Sequence, residues 1–266
     1  MQRARDAEYM KVNRVWTGVW VVALAVLGVA FAFAVIGRDD SGPDDAATGA
    51  VIQGEPVAEA PNVARFPGKG YELARVRAGE KVDVLNHPGG KVVARLGSKT
   101  EFGSPRVLPV LKPGPHWLGV TAPELGNGDV GWVRYDPKTL ALGDTQISVR
   151  VDLSDRKLEV RHGSDVLRKA VVSVGRLGSD TPAGRFAVTD MIVEGLDPVY
   201  GAGAIALSAR QPNLPPGWVG GDRIAIHGWA GPVGEAASGG CLRAADEDVE
   251  FLIERLPLGA PVFISN

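Results

Sequence analysis

The chain has 266 residues, enough for one large domain or two small ones behind an anchoring segment. Its 29 basic and 31 acidic side chains nearly balance, which argues against electrostatic binding to nucleic acid. Glycine and proline are abundant, at 35 and 19 residues, and this composition favours short strands and tight turns over a helical bundle.

The N-terminal region carries a candidate membrane anchor. Residues 15–36 contain no charged side chain, and a helix of that length crosses a hydrocarbon core of about 30 Å. Basic residues precede this segment and acidic residues follow it, so we expect everything after it to lie outside the cytoplasm. We therefore predict a cytoplasmic tail and transmembrane anchor over residues 1–37. A cleaved signal peptide, cut near residues 30–32, is the alternative, and the absence of a nearby cysteine excludes a lipoprotein anchor.

The next two segments read as a linker and a small β domain. Residues 38–62 are rich in Asp, Gly, Pro and Ala without apolar periodicity, which predicts a flexible linker. Residues 63–140 alternate short apolar runs with turns, which predicts strands at 81–85, 91–96, 107–111, 117–121 and 131–134. The stretch H-P-G-G-K-V-V-A-R-L at 87–96 and the later G-W-V resemble a bacterial SH3-type barrel. That resemblance implies a wall-binding or spacer module.

Residues 145–266 form a second predicted β-rich domain with one clear helix. Alternating apolar residues predict strands near 146–153, 157–161, 165–174, 185–193, 204–207, 223–226 and 262–264. Apolar residues at helical spacing predict a helix over 246–256, with Asp246 capping its start and Pro257 ending it. The fold class is therefore mainly β, with a transmembrane helix, an SH3-like barrel and a β-rich catalytic domain in chain order.

The only cysteine, Cys241, lies in a segment that combines a candidate base with a glycine turn. An unpaired extracytoplasmic cysteine is either an inert buried side chain or a reactive thiol. His227 ends an apolar strand, and an imidazole with a pKa of about 6.5 can accept a proton from a thiol with a pKa of about 8.5. Gly239 and Gly240 place backbone N–H groups beside the thiol, where an acyl-transfer site needs oxyanion donors. The combination predicts a cysteine acyl-transfer site.

This segment resembles the signature of YkuD-type L,D-transpeptidases, a His-Gly followed by Ser-x-Gly-Cys-hydrophobic-Arg. The T-P-A-G-R-F stretch at 181–186 and the A-I-A-L-S-A stretch at 204–209 resemble two further family elements. The resemblance implies that Cys241 attacks a peptidoglycan stem peptide, expels D-alanine and forms a thioester, with His227 as the proton acceptor. It also implies a role in cell-wall biogenesis or degradation and in cell shape, crosslinks between third residues, and trapping of the thiol by carbapenems. The matching positions that shape the site or form the oxyanion hole are Gly228, Ser238, Gly239, Gly240 and Arg243.

Two sequence features limit the resemblance. Many family members carry His where this chain has Gly239, and the interval from His227 to Cys241 is short for the family. A sortase is disfavoured because its Cys and Arg lie on separate strands, and a papain-like enzyme because Cys would precede His. A catalytically silent wall-binding protein and a hydrolytic cysteine enzyme both stay open as functions. The remaining histidines show no ligand spacing, so neither a metal nor another cofactor is predicted.

Overall fold

The computed structural model describes residues 69–214, 217–218 and 220–266, which all lie within one compact unit, Pro56–Asn266. Within these residues, no helix combines the length and the apolar content that a bilayer crossing requires. The proposed anchor at 15–36 and the proposed linker at 38–62 lie outside the described residues, so both stay predictions.

The first part of the described chain is a seven-stranded antiparallel sheet in the order β3-β2-β6-β5-β4-β1-β7. Buried Val82 and Val84 alternate with polar residues along β2, which is the pattern that predicted this strand. Strands β1 and β7, the first and last of these seven strands in chain order, were not predicted from the sequence. The strands are Tyr71–Val76 (β1), Lys81–Leu85 (β2), Val92–Gly97 (β3), Val107–Lys112 (β4), Trp117–Val120 (β5), Gly131–Arg134 (β6) and Leu140–Thr145 (β7).

The second part is an eight-stranded mixed sheet in the order β10-β9-β8-β17-β12-β13-β14-β16, beside the short parallel pair β11-β15. Two of its pairings are parallel, β8 with β17 and β14 with β16. The strands are Ile147–Asp152 (β8), Lys157–His162 (β9), Asp165–Val171 (β10), Val174–Gly175 (β11), Gly184–Ile192 (β12), Ala204–Arg210 (β13), Arg223–Gly228 (β14), Ala236–Ser238 (β15), Leu242–Ala244 (β16) and Pro261–Ser265 (β17).

One α-helix, α1, spans Asp246–Arg255 and packs on β13 and β14. Its buried face carries Val249 and Leu252, as its apolar spacing predicts. The prediction that Asp246 caps the helix is wrong, because the N-cap residue is Ala245 and makes no side-chain capping bond. Asp246 is the first helical residue, and its carboxylate accepts a hydrogen bond from the Ala202 N–H at 3.0 Å. The side chain therefore ties the helix start to the loop before β13.

Candidate active site

The parallel pairing of β14 with β16 brings the two predicted catalytic side chains to one face of the sheet. Ile226 lies opposite Leu242 and His227 opposite Arg243, and Cys241 immediately precedes β16. Ile226 and Leu242 are fully buried in the core on one face. Neighbouring residues of a strand point to opposite faces. The side chains of His227, Cys241 and Arg243 therefore lie on the opposite face. There they line a cavity of about 730 Å³.

His227 is held in the tautomer that a general base requires. Its Nδ1 lies 2.8 Å from the carbonyl oxygen of Gly228. A carbonyl only accepts hydrogen bonds, so Nδ1 carries the proton and Nε2 keeps a free lone pair. The ring of Tyr200 contacts the imidazole edge-on, with centroids 4.9 Å apart. Burial lowers the pKa of His227, and the charge of Arg243 lowers it further against the opposing effect of the Gly228 hydrogen bond. The imidazole is therefore neutral at pH 7.

Cys241 is partly buried and protonated in the resting site. Burial raises the pKa of its thiol, and this outweighs a backbone hydrogen bond from Ala225 and the positive charge of Arg243, which both favour the thiolate. The S–H group lies 3.9 Å from the carbonyl oxygen of Arg223. The protonated thiol and the neutral imidazole line the same cavity, so the thiol has to lose its proton when it attacks a carbonyl carbon.

The turn before Cys241 is fixed by two buried hydroxyl groups. Ser238 Oγ accepts from the Gly240 N–H at 3.1 Å and donates to the Cys241 carbonyl at 2.6 Å. Thr181 Oγ1 donates to the Gly240 carbonyl at 2.8 Å and accepts from the Gly175 N–H at 2.9 Å. The Gly240 N–H is thus committed to Ser238 rather than directed at an oxyanion, which leaves the amides of Gly239 and Cys241 as candidate donors.

Arg243 places a cation beside the catalytic pair. Its guanidinium carbon lies 3.8 Å from the centroid of the Trp229 ring, a distance typical of a stacked cation–π contact. Its backbone exchanges two hydrogen bonds with Ser173, at 2.8 and 3.0 Å. Arg243 also lines the cavity, together with Arg176. The pair of guanidinium groups makes this end of the cavity suited to a carboxylate.

One known family matches the part of the chain that contains these residues. Residues 146–264 match the family model of the YkuD L,D-transpeptidase catalytic domain. This part of the chain is a YkuD-type L,D-transpeptidase catalytic domain. The match does not extend to the antiparallel sheet of residues 71–145, whose likeness to SH3 modules stays a prediction. No curated protein sequence matches the chain.

Several solved structures resemble about half of the chain at low sequence identity. An L,D-transpeptidase from Mycobacterium smegmatis has a TM-score of 0.36 at 17% identity, covering 52% of this chain and 73% of that one. One from Mycobacterium tuberculosis has a TM-score of 0.39 at 17% identity, covering 52% and 72%. One from Stackebrandtia nassauensis has a TM-score of 0.35 at 21% identity, and there the match spans 46% of this chain but only 56% of that one.

Two residues that support the candidate site were not predicted from the sequence. Gln211 is 5% exposed, and its amide donates to the carbonyls of Asp180 and Gly239, at 3.1 and 3.0 Å. It therefore ties the loop before Thr181 to the turn before the nucleophile. Arg223 supplies the carbonyl that contacts the thiol. Neither residue belongs to a spacing motif, so the sequence held no signal for either. Among the described residues, no three His, Cys, Asp or Glu side chains cluster as metal ligands.

The protonation state of the resting site predicts the pH dependence of thiol alkylation. Iodoacetamide reacts with the thiolate, so a thiol with a raised pKa reacts slowly at pH 7. We expect the alkylation rate of Cys241 to rise about tenfold per pH unit from about pH 6 to pH 9, as the thiolate fraction does. Mass spectrometry of timed samples gives the rate. A plateau between about pH 5 and 8 would instead indicate a preformed thiolate–imidazolium pair and contradict the assignment.

Proposed function

We propose that this protein is a peptidoglycan L,D-transpeptidase in which Cys241 forms a thioester with a stem-peptide donor and passes the acyl group to an amine. The observation that carries the proposal is the β14–β16 register. In this register Cys241 and a neutral His227, whose Nδ1 is fixed by the Gly228 carbonyl, line the same cavity, which supports these residues as nucleophile and base. The membership of residues 146–264 in a family that acts on stem peptides supports the substrate class.

The first half of the reaction forms the acyl-enzyme. As Cys241 Sγ attacks the donor carbonyl, its proton passes to His227 Nε2 and a tetrahedral oxyanion develops. The N–H groups of Gly239 and Cys241 are the proposed oxyanion donors. Collapse of the intermediate breaks the peptide bond, and the protonated His227 returns its proton to the departing amine of D-alanine. The carboxylate of that D-alanine is well placed to meet the cationic end of the cavity, at Arg243.

The second half transfers the acyl group. An acceptor amine attacks the thioester carbonyl while His227 accepts its proton, and the thiolate leaves when the second intermediate collapses. The thiolate then recovers the proton from His227, which restores the resting site. Water competes with the amine for the same thioester, so hydrolysis is the alternative outcome of an identical first half. No cofactor takes part in either half.

We place this activity outside the cytoplasm, at the cell wall, where the family works. The charge pattern around residues 15–36 supports a membrane anchor with the two sheets on the outer side, since the basic side of a span stays in the cytoplasm. Fractionation of cells that produce the full chain tests this location. Recovery in the membrane fraction supports an anchor, whereas a shortened product in the medium supports a cleaved signal peptide.

Intact-mass spectrometry of the acyl-enzyme tests the function. After incubation with a tetrapeptide donor, and separately with a carbapenem, we expect a covalent adduct that maps to Cys241. The Cys241→Ala variant should form no adduct, because it lacks the nucleophile. Release of D-alanine with an amine-linked product indicates transfer, and release without that product indicates hydrolysis. A folded protein that forms no adduct and shows no turnover would favour a silent wall-binding protein and contradict the proposal.

A further inference from the structure

The loop between β3 and β4, residues 98–106, comes from the N-terminal sheet but forms part of the catalytic cavity. Glu101 and Phe102 line the same cavity as Cys241 and His227. Both residues precede the matched catalytic domain, which begins at residue 146. The N-terminal sheet therefore supplies side chains to the cleft of the neighbouring domain.

Hydrogen bonds and an ion pair made by the loop fix the position of these two side chains. Arg106 is 6% exposed, and its guanidinium donates to the carbonyls of Gly97 and Lys99, at 2.9 and 3.0 Å. It also forms an ion pair with Glu124 at 2.8 Å. The Thr100 N–H donates to the Ser104 carbonyl at 2.9 Å and closes the loop. A buried arginine that is bonded in this way holds the loop against its own sheet.

The tip of the loop also contacts the catalytic sheet through charged and hydroxyl groups. The Thr100 hydroxyl donates to Asp190, which is fully buried in β12. Glu101 forms an ion pair with Arg223, whose side chain is 8% exposed, whereas that of Glu101 is 46% exposed. The Arg223 guanidinium also donates to the Leu207 carbonyl at 3.0 Å and to Thr189 Oγ1 at 2.6 Å. Arg223 is thus satisfied within the protein, while Glu101 still faces the cavity.

Through its ion pair with Arg223, Glu101 lies at the first residue of β14, and this position determines the charge pattern of the cleft. Arg223 begins β14 and His227 lies four residues further on, which in an extended strand is roughly 13 Å. Arg243 lies opposite His227, at the far end. The cleft therefore carries a carboxylate at the Arg223 end and guanidinium groups at the His227 end, with the thiol between them. This arrangement suits a peptide that has a carboxylate on one side of the attacked carbonyl and a cation on the other.

We propose that Glu101 binds a protonated side-chain amine of the donor peptide, on the side of the attacked carbonyl away from the leaving D-alanine. This inference rests on the proposed function. A carboxylate offers about four lone-pair sites, so Glu101 can keep its ion pair with Arg223 and also accept from an ammonium group. The ring of Phe102, whose centroid lies 5.7 Å from the Arg223 guanidinium carbon, also contacts this arginine. Glu101 is then a specificity-determining residue that the N-terminal sheet contributes.

The test compares two donor tetrapeptides in the full chain and in its Glu101→Gln variant. One peptide carries a free side-chain amine at its third residue, and in the other that amine is acetylated. D-alanine release is measured with hydroxylamine as a common acceptor, so that the peptide amine is not needed as the nucleophile. We expect Glu101→Gln to raise KM about three- to five-fold for the free amine, as loss of a partly exposed ion pair does. The KM of the acetylated peptide and both kcat values should stay unchanged.

Glu80→Gln is the matched control, because Glu80 is an exposed carboxylate in the turn between β1 and β2 and does not line the cavity. An equal KM increase for both peptides would mean that Glu101 acts only by holding Arg223, and that contradicts the inference. Unchanged KM values contradict it as well. If the unmodified protein releases D-alanine from neither peptide while iodoacetamide still labels Cys241, the proposed function fails and this inference fails with it. Turnover of both peptides without a Glu101 effect overturns only the inference.

Discussion

Replacing His227 with alanine is expected to lower kcat/KM for donor acylation by about 10²–10⁴-fold, the usual contribution of a positioned general base. The effect is large because the thiol of Cys241 is protonated in the resting site and no thiolate is held ready for attack. Without the imidazole, only the small thiolate fraction at a given pH can react. The measurement is the rate of adduct formation with a tetrapeptide donor, followed by intact mass.

The pH profile of the two proteins separates a lost base from a disturbed fold. Burial lowers the pKa of His227, so the unmodified protein should keep its neutral base, and its acylation rate, below pH 6.5. At still lower pH the rate of the unmodified protein should fall as His227 becomes protonated. In His227→Ala this fall should be absent, and the remaining rate should rise with pH as Cys241 ionises. His162→Ala, at an exposed position at the end of β9, is the control and should retain full activity. A His227→Ala variant that acylates at more than about a tenth of the normal rate would contradict the general-base role.

Much of the catalytic fold could be predicted because its signals are local. Alternating apolar residues predicted the β8 and β9 pair, and apolar residues at helical spacing predicted α1 to within one residue. The His-Gly element put His227 at the end of the strand that carries it, and the Gly-Gly-Cys-Leu-Arg element named the candidate nucleophile without predicting its strand. These signals survive in a single sequence because each depends on residues within a few positions of one another.

The elements that the sequence missed depend on contacts between distant residues. Strands β15 and β16 have three residues each, too short for a periodic pattern. The role of Asp246 was predicted wrongly because a capping side chain and a tertiary partner look alike in sequence, and the loop at Ala202 lies 44 positions away. The ion pair of Glu101 with Arg223 joins residues 122 positions apart, one in the loop between β3 and β4 and the other at the start of β14. Sequence patterns relate residues that are a few positions apart, so they cannot predict a contact between residues this distant in the chain.

The position of His227 depends on Gly228, which follows it, so we expect Gly228→Ala to have a large effect on both stability and catalysis. A Cβ on Gly228 would lie 2.7 Å from the Ala202 nitrogen and 2.9 Å from the Tyr200 oxygen, and it would overlap the Asp246 carboxylate. These atoms belong to the backbone and to a hydrogen-bonded side chain, so they cannot move aside cheaply. We expect Gly228→Ala to lower the free energy of unfolding by roughly 1–3 kcal/mol, the usual cost of overpacking. Thermal denaturation measures this loss.

The same substitution should reduce catalysis beyond its effect on stability. The Gly228 carbonyl fixes His227 Nδ1, and a shift of about 1 Å in a reacting group can cost about 10²-fold in rate. Gly239→Ala is the matched control, because a Cβ there meets no atom within 4 Å although Gly239 lines the same cavity. Gly239→Ala should therefore leave the melting temperature unchanged. If Gly228→Ala instead acylates at the normal rate below its own melting temperature, the Gly228 carbonyl does not orient the base. The proton on Nδ1 would then have to be held by another group.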